Sequence, residues 1–593
     1  MLNEKDTKTK ARRSTRQSRA SLPSQMMPAN DALFLGGKRQ KTARRWLYRG
    51  GLGALAACFV FLMMYLVFLR MTRIEPPRID AAVREAAEKP LTVQGARAYV
   101  GDSWLGRERG IWEAHLNGEP YQLGWAQGRL GNRLFLETED YMFGEMARYV
   151  PSKVALWLIR GFARMQYRHI GDLLPPERAE EIAGLARGVD DLHGDFLPIY
   201  HRLVFYHGLH DITQGLEHSP LLGCSAFAAS GAASTNGHLI IGRNFDFEGP
   251  EIFDREKAIL FFKPRGKIPF ASVAWLGMSG VITGLNAEGI YVSVNAARSD
   301  DKGGEGVPVE ILVREIMEQA HSIDEVIALV KKTPVMVPDF YLVGDGKTGE
   351  SAVLERTPRR LEVRRSNRAD GTIVLTNHAL SPTFAADAEN DRLKRYMTSG
   401  ARYKRLEELV KHWRGQIDPR KTLEILRDKK AVGGGELGLG NRNALDAIIA
   451  THSVVVDASA LTIWVSSGPH LTGRYIGFDL KRELAGESER PQPADLPEDP
   501  IAQSDEFHGY TLAQAELKAA DRLRKLDPDR ALEEARRAEG LEEKLPEPHR
   551  FIGDLLRKAG DREGARKEYQ RFLALSPPYL KDIEQVKGIL DTL

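Results

Sequence analysis

The chain of 593 residues is too long for one ordinary domain and fits roughly three to five units. At 42% hydrophobic and 28% charged it is globular on average, which excludes wholesale disorder and a polytopic membrane protein. The net charge of +3 hides an asymmetry: residues 1–49 hold 13 Lys/Arg against Glu4, Asp6 and Asp31, a local +10, so the rest sums to −7 and offers no basic body for nucleic acid.

The tail before Arg45 is rich in Ser, Thr, Lys and Arg, a composition that predicts disorder. The run Leu52–Leu69 carries no charge and is flanked by Arg49, Arg70 and Arg73. Its length reaches the threshold for a ~30 Å hydrocarbon core, so residues 50–70 are expected to be a single transmembrane anchor. The basic side then predicts residues 1–49 in the cytoplasm and the body outside it, periplasmic in a Gram-negative cell. A cleaved signal peptide fits less well, since no small-x-small site follows Leu69. Leu55-Ala56-Ala57-Cys58 mimics a lipoprotein box, but the apolar run continues past Cys58, which reads as a membrane-embedded thiol.

Residues 71–223 read as a helical segment: Glu119–Arg148 and Ser152–Arg168 are apolar at helical spacing, and Pro175-Pro176 opens a helix through Arg187. From residue 224 to about 485 the period changes to short β-rich runs separated by Gly, Asn, Asp and Pro, interrupted by amphipathic helices near 307–332 and 399–428. Strands in bulk with helices set apart predict an α+β layered domain. The Pro- and acid-rich stretch around 486–509 reads as a linker. Beyond it, over 510–593, Ala531, Ala535, Ala538 and Leu541 recur at one fixed offset as Ala565, Tyr569, Phe572 and Leu575. That offset is the tetratricopeptide period, so a TPR-like helical module is expected, packing on the body, self-associating or meeting a protein partner.

Chemistry concentrates after residue 220. Cys224 is the only cysteine outside the apolar run; a lone cysteine is usually a small buried hydrophobe. Here Arg243-Asn244-Phe245-Asp246 follows it on the next β-rich run, and Gly223 precedes it. Further on come Asn286-Ala287-Glu288-Gly289-Ile290 with Val294-Asn295, then Tyr341–Gly346 and Ala352–Glu355. Leu375-Thr376-Asn377, Ser399–Tyr403 with Arg402, and His452–Val455 with Trp464–Gly468 complete the series.

In this order the pieces resemble the N-terminal-nucleophile (Ntn) hydrolases of the choloylglycine hydrolase, penicillin V acylase, acid ceramidase and isopenicillin N acyltransferase group, over about residues 221–470. The resemblance implies an αββα four-layer sandwich and a catalytic set of Cys224, Arg243, Asp246, Asn295, Asn377 and Arg402, with Asn295 at the oxyanion hole. The long segment ahead of Cys224 favours the members that cut themselves before the cysteine. Cutting Gly223–Cys224 frees an α-amine, with a reference pKa of about 7.7–8.0, beside a thiol that needs a base. Arg243 is expected to favour thiolate with a fork that also touches Asp246, and Asp246 to hold the new ammonium. Asn377 and Arg402 would orient the amine and the carboxylate, and Gly223 would permit a strained scissile backbone.

The implied activity is a membrane-anchored, self-processed amidohydrolase that forms an acyl thioester on Cys224 from a small-molecule amide. Transfer of the acyl group to an amine is the second reading, and a helical scaffold with a relict site the third. No cofactor or metal is expected: His207, His210 and His218 match no zinc motif. The GxGxxG at 433–438 lacks a preceding strand and reads as a flexible loop flanking the catalytic mouth.

Overall fold

The computed structural model describes residues 32–214, 222–249, 251–301, 303–366, 371–485 and 489–593; the tail before residue 32, His218 and Leu221 lie outside them. The chain divides into two compact units, residues 1–72 and 73–593.

Among its described residues the first unit is one 40-residue helix, Ala32–Met71. Its portion Trp46–Met71, 26 residues with a mean hydropathy of 2.5, is long and apolar enough to cross a membrane, reaching about 39 Å at 1.5 Å per residue. The helix also takes in residues 32–49, which the composition assigns to an unstructured tail. Lys, Arg, Gln and Ala are good helix formers, and an adjoining apolar helix supplies the nucleus they lack alone.

The second unit is built on two sheets. Among the described residues the larger has eleven strands and the smaller six. Every neighbouring pair of these strands is antiparallel except one: Ile111–Gly118 runs parallel to Ala258–Pro264 over seven register pairs. Between the sheets lies an apolar layer that includes Ile241, Phe261, Leu342 and Val456. The outer face of the large sheet is covered by the helices Pro120–Tyr149, Val309–Gln319 and Ile323–Lys332, with Leu123, Leu134, Leu312 and Val326 in the seam. The outer face of the small sheet is covered by Ser399–His412 and Pro419–Leu426, packing Leu406, Val410 and Leu423 on it. The order is helix, sheet, sheet, helix.

Three expectations need correction. Residues 91–118 are not helical. They form four strands, Leu91–Gln94, Arg97–Val100, Ser103–Glu108 and Ile111–Gly118, turned by Gly95, Gly101 and Gly110, all at positive φ. The segment ahead of Cys224 therefore supplies four of the eleven strands of the large sheet. The stretch 489–504 is not a free linker either. Leu496 bridges to Tyr475, Gln492 accepts from the Asp479 N–H at 3.1 Å, and Asp495 takes Arg109 at 3.2 Å. Its prolines suit an ordered extended strap as well as a flexible one. Finally, the glycine turn at 432–434 is tied by the Gly433 N–H to Glu408, and none of residues 433–438 lines the apolar cavity beside Cys224.

Five helices end the chain: Asp505–Leu523, Pro528–Leu541, Pro546–Ala559, Arg562–Ala574 and Leu580–Thr592. Ala531, Ala535 and Ala538 are buried on the second, Ala565, Tyr569 and Phe572 on the fourth. The module docks on the body through Tyr510, which packs with Leu439 and Ile448.

Candidate active site

Cys224 sits near the start of the strand Leu222–Gly231, which pairs antiparallel with Gly237–Phe247. The register sets Gly223 opposite Asp246, Cys224 opposite Phe245 and Ala226 opposite Arg243. Successive side chains of a strand alternate between faces. Cys224, Phe245 and Arg243 therefore point into the layer between the sheets, while Gly223 and Asp246 face the helices. A fork from Arg243 that touches thiol and Asp246 together is excluded by this alternation, and that expectation is corrected.

Each face has its own task. Toward the helices, the Cys224 backbone N–H donates to Asn377 Oδ1 at 3.0 Å. Arg402 holds both ends of this arrangement: Nη2 donates to the same Asn377 oxygen at 2.7 Å, and Nη1 to the Cys224 carbonyl at 2.5 Å and Ser225 Oγ at 2.9 Å. Asn377 is itself fixed, donating to Ala296 O at 2.8 Å from its side chain and to Ser399 Oγ at 2.9 Å from its backbone. Arg402 reaches in because Thr398 starts its helix at this point, and Gly400 passes where a Cβ would strike Lys394 O. A Cβ on Gly223 would lie 3.6 Å from Asp246 Oδ2, so the carboxylate stands beside Gly223. Gly223 is not among the positive-φ glycines, so the expected left-handed strain at that position is absent.

Toward the sheet interface, Arg243 is fully buried and bonds Thr283 Oγ1, Val294 O and, at 3.0 Å, His452 Nε2. A guanidinium only donates, so His452 Nε2 accepts and the ring proton sits on Nδ1. Burial and the Arg243 charge hold His452 well below the usual histidine range, which keeps it neutral. Asn295 sits on the strand Ile290–Ala296 of the facing large sheet and donates to Thr376 O at 2.9 Å, using one of its two amide N–H groups. The hairpin that places it turns at Gly289, φ 81°, with Asn286 Oδ1 accepting from Glu288 N and Ile290 N.

Burial pushes the Cys224 thiol up; Arg243, Arg402 and a backbone hydrogen bond from Ala296 pull it down, and Asp246 opposes them. Burial also pushes Asp246 up to about 6, against the pull of Arg442 and Arg402. Arg442 was not among the expected residues. It is held by Glu248 at 2.9 Å and by the Tyr579 hydroxyl at 3.3 Å, so the C-terminal helices reach the edge of the site. Thr283 was also missed, and Ser399 and His452, though they stand in recognised pieces, were given no role: Thr283 and His452 meet only through strand packing, and Ser399 reaches Asn377 from the start of a helix.

Beside the thiol, Phe245 and Ile282 pack on Cys224 and also line a cavity of about 310 Å³. Its lining includes Met142, Phe247, Phe253, Trp275 and Leu276, with Thr138 and Glu145 among its polar members. His207 and His210 border it but are engaged, with Ser279 N on His207 Nε2 at 2.9 Å and Asp339 on His210 at 3.0 Å.

Residues 233–436 match the family model described as Acyl-coenzyme A:6-aminopenicillanic acid acyl-transferase. An uncharacterized protein of Archaeoglobus fulgidus is 24% identical over 437 residues, 68% of this chain and 69% of that protein. The N-acylethanolamine-hydrolyzing acid amidase of Oryctolagus cuniculus is 24% identical over 223 residues, 36% of this chain and 56% of that protein. Over this region the chain is similar to acyltransferases and amidases of the N-terminal-nucleophile hydrolase group, enzymes acting on C–N amide bonds. The chain spans about half the length of the rabbit amidase. Among solved structures, the Caenorhabditis elegans N-acylethanolamine-hydrolyzing acid amidase ortholog overlays at a TM-score of 0.30 with 19% identity, covering 40% of this chain and 93% of that one.

Proposed function

We propose that the protein is a membrane-anchored, self-processing cysteine amidase of the Ntn type, whose substrates are amides with an apolar acyl group. The observation that carries the reading is the clamp around one residue: Asn377 Oδ1 on the Cys224 N–H, Arg402 on the Cys224 carbonyl, and Asp246 beside Gly223. Of these atoms, the Cys224 nitrogen bonded to Asn377 becomes the α-amine once Gly223–Cys224 is cut.

In that cut, Cys224 Sγ attacks the Gly223 carbonyl and displaces the Cys224 nitrogen, which takes a proton; water then opens the thioester and releases the Gly223 carboxylate. The free amine, bonded to Asn377 and near Asp246, accepts the thiol proton when a substrate amide is attacked. Asn295 is the donor assigned to the developing oxyanion, a role in which one such donor contributes roughly 3–4 kcal/mol. The leaving amine takes the proton from the Cys224 α-ammonium, and water releases the acyl group. The cavity walled by Phe245, Ile282, Trp275 and Met142 supports an apolar acyl chain.

Transfer to an amine acceptor is the second reading, favoured by the name of the matching acyl-transferase family. Product formed with no amine present decides for hydrolysis. The helix Trp46–Met71 supports the anchor, and the basic residues ahead of it support a cytoplasmic tail with the body outside. The fixed offset from Ala531 to Ala565 supports a tetratricopeptide-like module. Intact mass of purified protein tests the core of the proposal: chains 1–223 and 224–593 in the wild type, one chain in Cys224→Ala. Active wild-type protein of full length would refute self-processing.

A further inference from the structure

A second set of chemically reactive side chains lies outside the nucleophile site. Glu113 and His115 stand two apart on the strand Ile111–Gly118, so both leave the same face of the large sheet. The short helix Leu480–Ala485 brings Glu483 to them. His115 is held flat by Trp104, with ring centroids 4.2 Å apart and planes at 14°, and flanked by Phe261 at 4.6 Å. Its Nε2 lies 3.0 Å from Glu113 Oε1 and 3.4 Å from Glu483 Oε2. One ring nitrogen carries at most one hydrogen, so a hydrogen bond from it serves one of these two carboxylates and not both.

The spacing suits a cation instead. Ligands about 2.0–2.1 Å from a tetrahedral zinc ion stand about 3.3 Å from one another, and 3.0 and 3.4 Å bracket that edge. All three ligand atoms lie within 4.8 Å of each other. The surroundings turn the right atoms inward: Gln492 Nε2 donates to Glu483 Oε1, and Arg482 Nε lies 3.6 Å from that same oxygen, leaving Oε2 toward His115. Arg97 and Lys263 act on the two carboxylates through space. The cluster Glu539, His549 and Glu568 differs, because Arg536 reaches both of its glutamates at 2.8 and 2.7 Å and Arg571 adds a third contact at 2.7 Å. Calcium, with six to eight oxygen ligands, fits a site of one imidazole and two carboxylates poorly.

We propose that Glu113, His115 and Glu483 bind a zinc-class divalent cation, with water in the fourth position. Two ligands precede Gly223 and one follows it, so the ion fastens the upstream segment to the downstream body. The binding site stands without the processing reading; the fastening role rests on it.

The test uses full-length protein in detergent, loaded with one equivalent of Zn(II) and desalted. Wild type is expected to retain about one zinc per chain by mass spectrometry, and its thermal midpoint to rise with zinc and fall with chelator. Cobalt(II) in its place should give the strong visible bands of a four-coordinate site. His115→Ala and Glu483→Gln should lose retained metal, the zinc-dependent shift and the cobalt bands, while Glu568→Gln keeps them. Glu483→Gln keeps the side-chain shape and relieves the Glu113 repulsion, so its midpoint in chelator should equal or exceed that of wild type. Uncut Cys224→Ala should hold zinc as wild type does, which separates this site from the processing proposal. Wild type that desalts metal-free without a midpoint shift, or equal retention by His115→Ala, overturns the site. In cut protein, chelator should lower the denaturant concentration at which the upstream chain departs; an unchanged value overturns the fastening role.

Discussion

The thiol of Cys224 and the carboxylate of Asp246 are neighbours in space with separate duties, because strand alternation puts them on opposite faces. Arg243 faces the thiol and lowers its affinity for a proton. Arg243→Ala is therefore expected to move the alkylation profile of Cys224 to higher pH, and every pH unit it moves means tenfold less thiolate below the pKa. Arg243→Lys should rescue only part of this, since one ammonium cannot reach Thr283, Val294 O and His452 from a single plane. Superimposable alkylation profiles for Arg243→Ala and wild type would make the arginine structural. Asp246 gives a prediction with a sign. Its folded pKa of about 6 lies above the ordinary 3.8, so the folded state binds this proton more tightly. The stability it contributes is full below about pH 4 and is lost as pH rises through about 6, a loss of roughly 3 kcal/mol. In the uncut Cys224→Ala background, Asp246→Asn should flatten the dependence of denaturant stability on pH across that window. A dependence that stays as steep would show that Asp246 is not its source.

At the scale of elements, the segment ahead of Cys224 is tied into the body by more than its strands. Arg178 and Glu181 on Pro176–Gly188 meet Arg314 and Glu318 on Val309–Gln319, all four buried. Removing one partner of such a network leaves a buried charge uncompensated, so Glu181→Gln should cost about 3–5 kcal/mol in a denaturant titration. A loss below about 1 kcal/mol would mean the network is solvated in solution. Much of this level was legible. The helix Pro120–Tyr149 and the hairpins that carry Asn295 and His452 follow their periodicity and their Gly and Asn turns. The four strands of 91–118 were not, because their inward residues are few: Leu91–Gln94 is exposed throughout, and only the third and fourth strands bury a side of themselves. Their true signal was the glycine spacing at 95, 101 and 110. Arg442 was beyond reach altogether, since its position depends on Tyr579, far along the chain in the C-terminal helices. Tyr579→Phe should leave folding nearly intact yet shift the pH profile of turnover through Arg442 and Asp246. An unchanged profile would disconnect the C-terminal helices from the chemistry.

Over the whole molecule, one chain carries both an apolar helix and a sandwich that needs its own upstream strands. Cleavage at Gly223–Cys224 would give a downstream chain, residues 224–593, without the helix Trp46–Met71. Two cysteines exist, Cys58 in that helix and buried Cys224, so no pair within the body cross-links the fragments. What would hold them is non-covalent: seven register pairs between Ile111–Gly118 and Ala258–Pro264, and the Arg178–Glu318 and Arg314–Glu181 contacts between the two sides of Gly223–Cys224. Sheet pairing of this kind with both faces covered opens only when the whole core opens. The downstream chain is therefore expected to sediment with membranes after washing at high salt and high pH, and to run on reducing gels as its own band. Concentrated urea should release it to the supernatant and leave the upstream fragment behind. Protease added to cells in which only the outer envelope is permeabilised should attack the downstream chain and spare the basic tail, as the charge asymmetry requires. A downstream chain found soluble in a native extract, with the upstream fragment still in the membrane, would show that the shared sheet does not survive the cut.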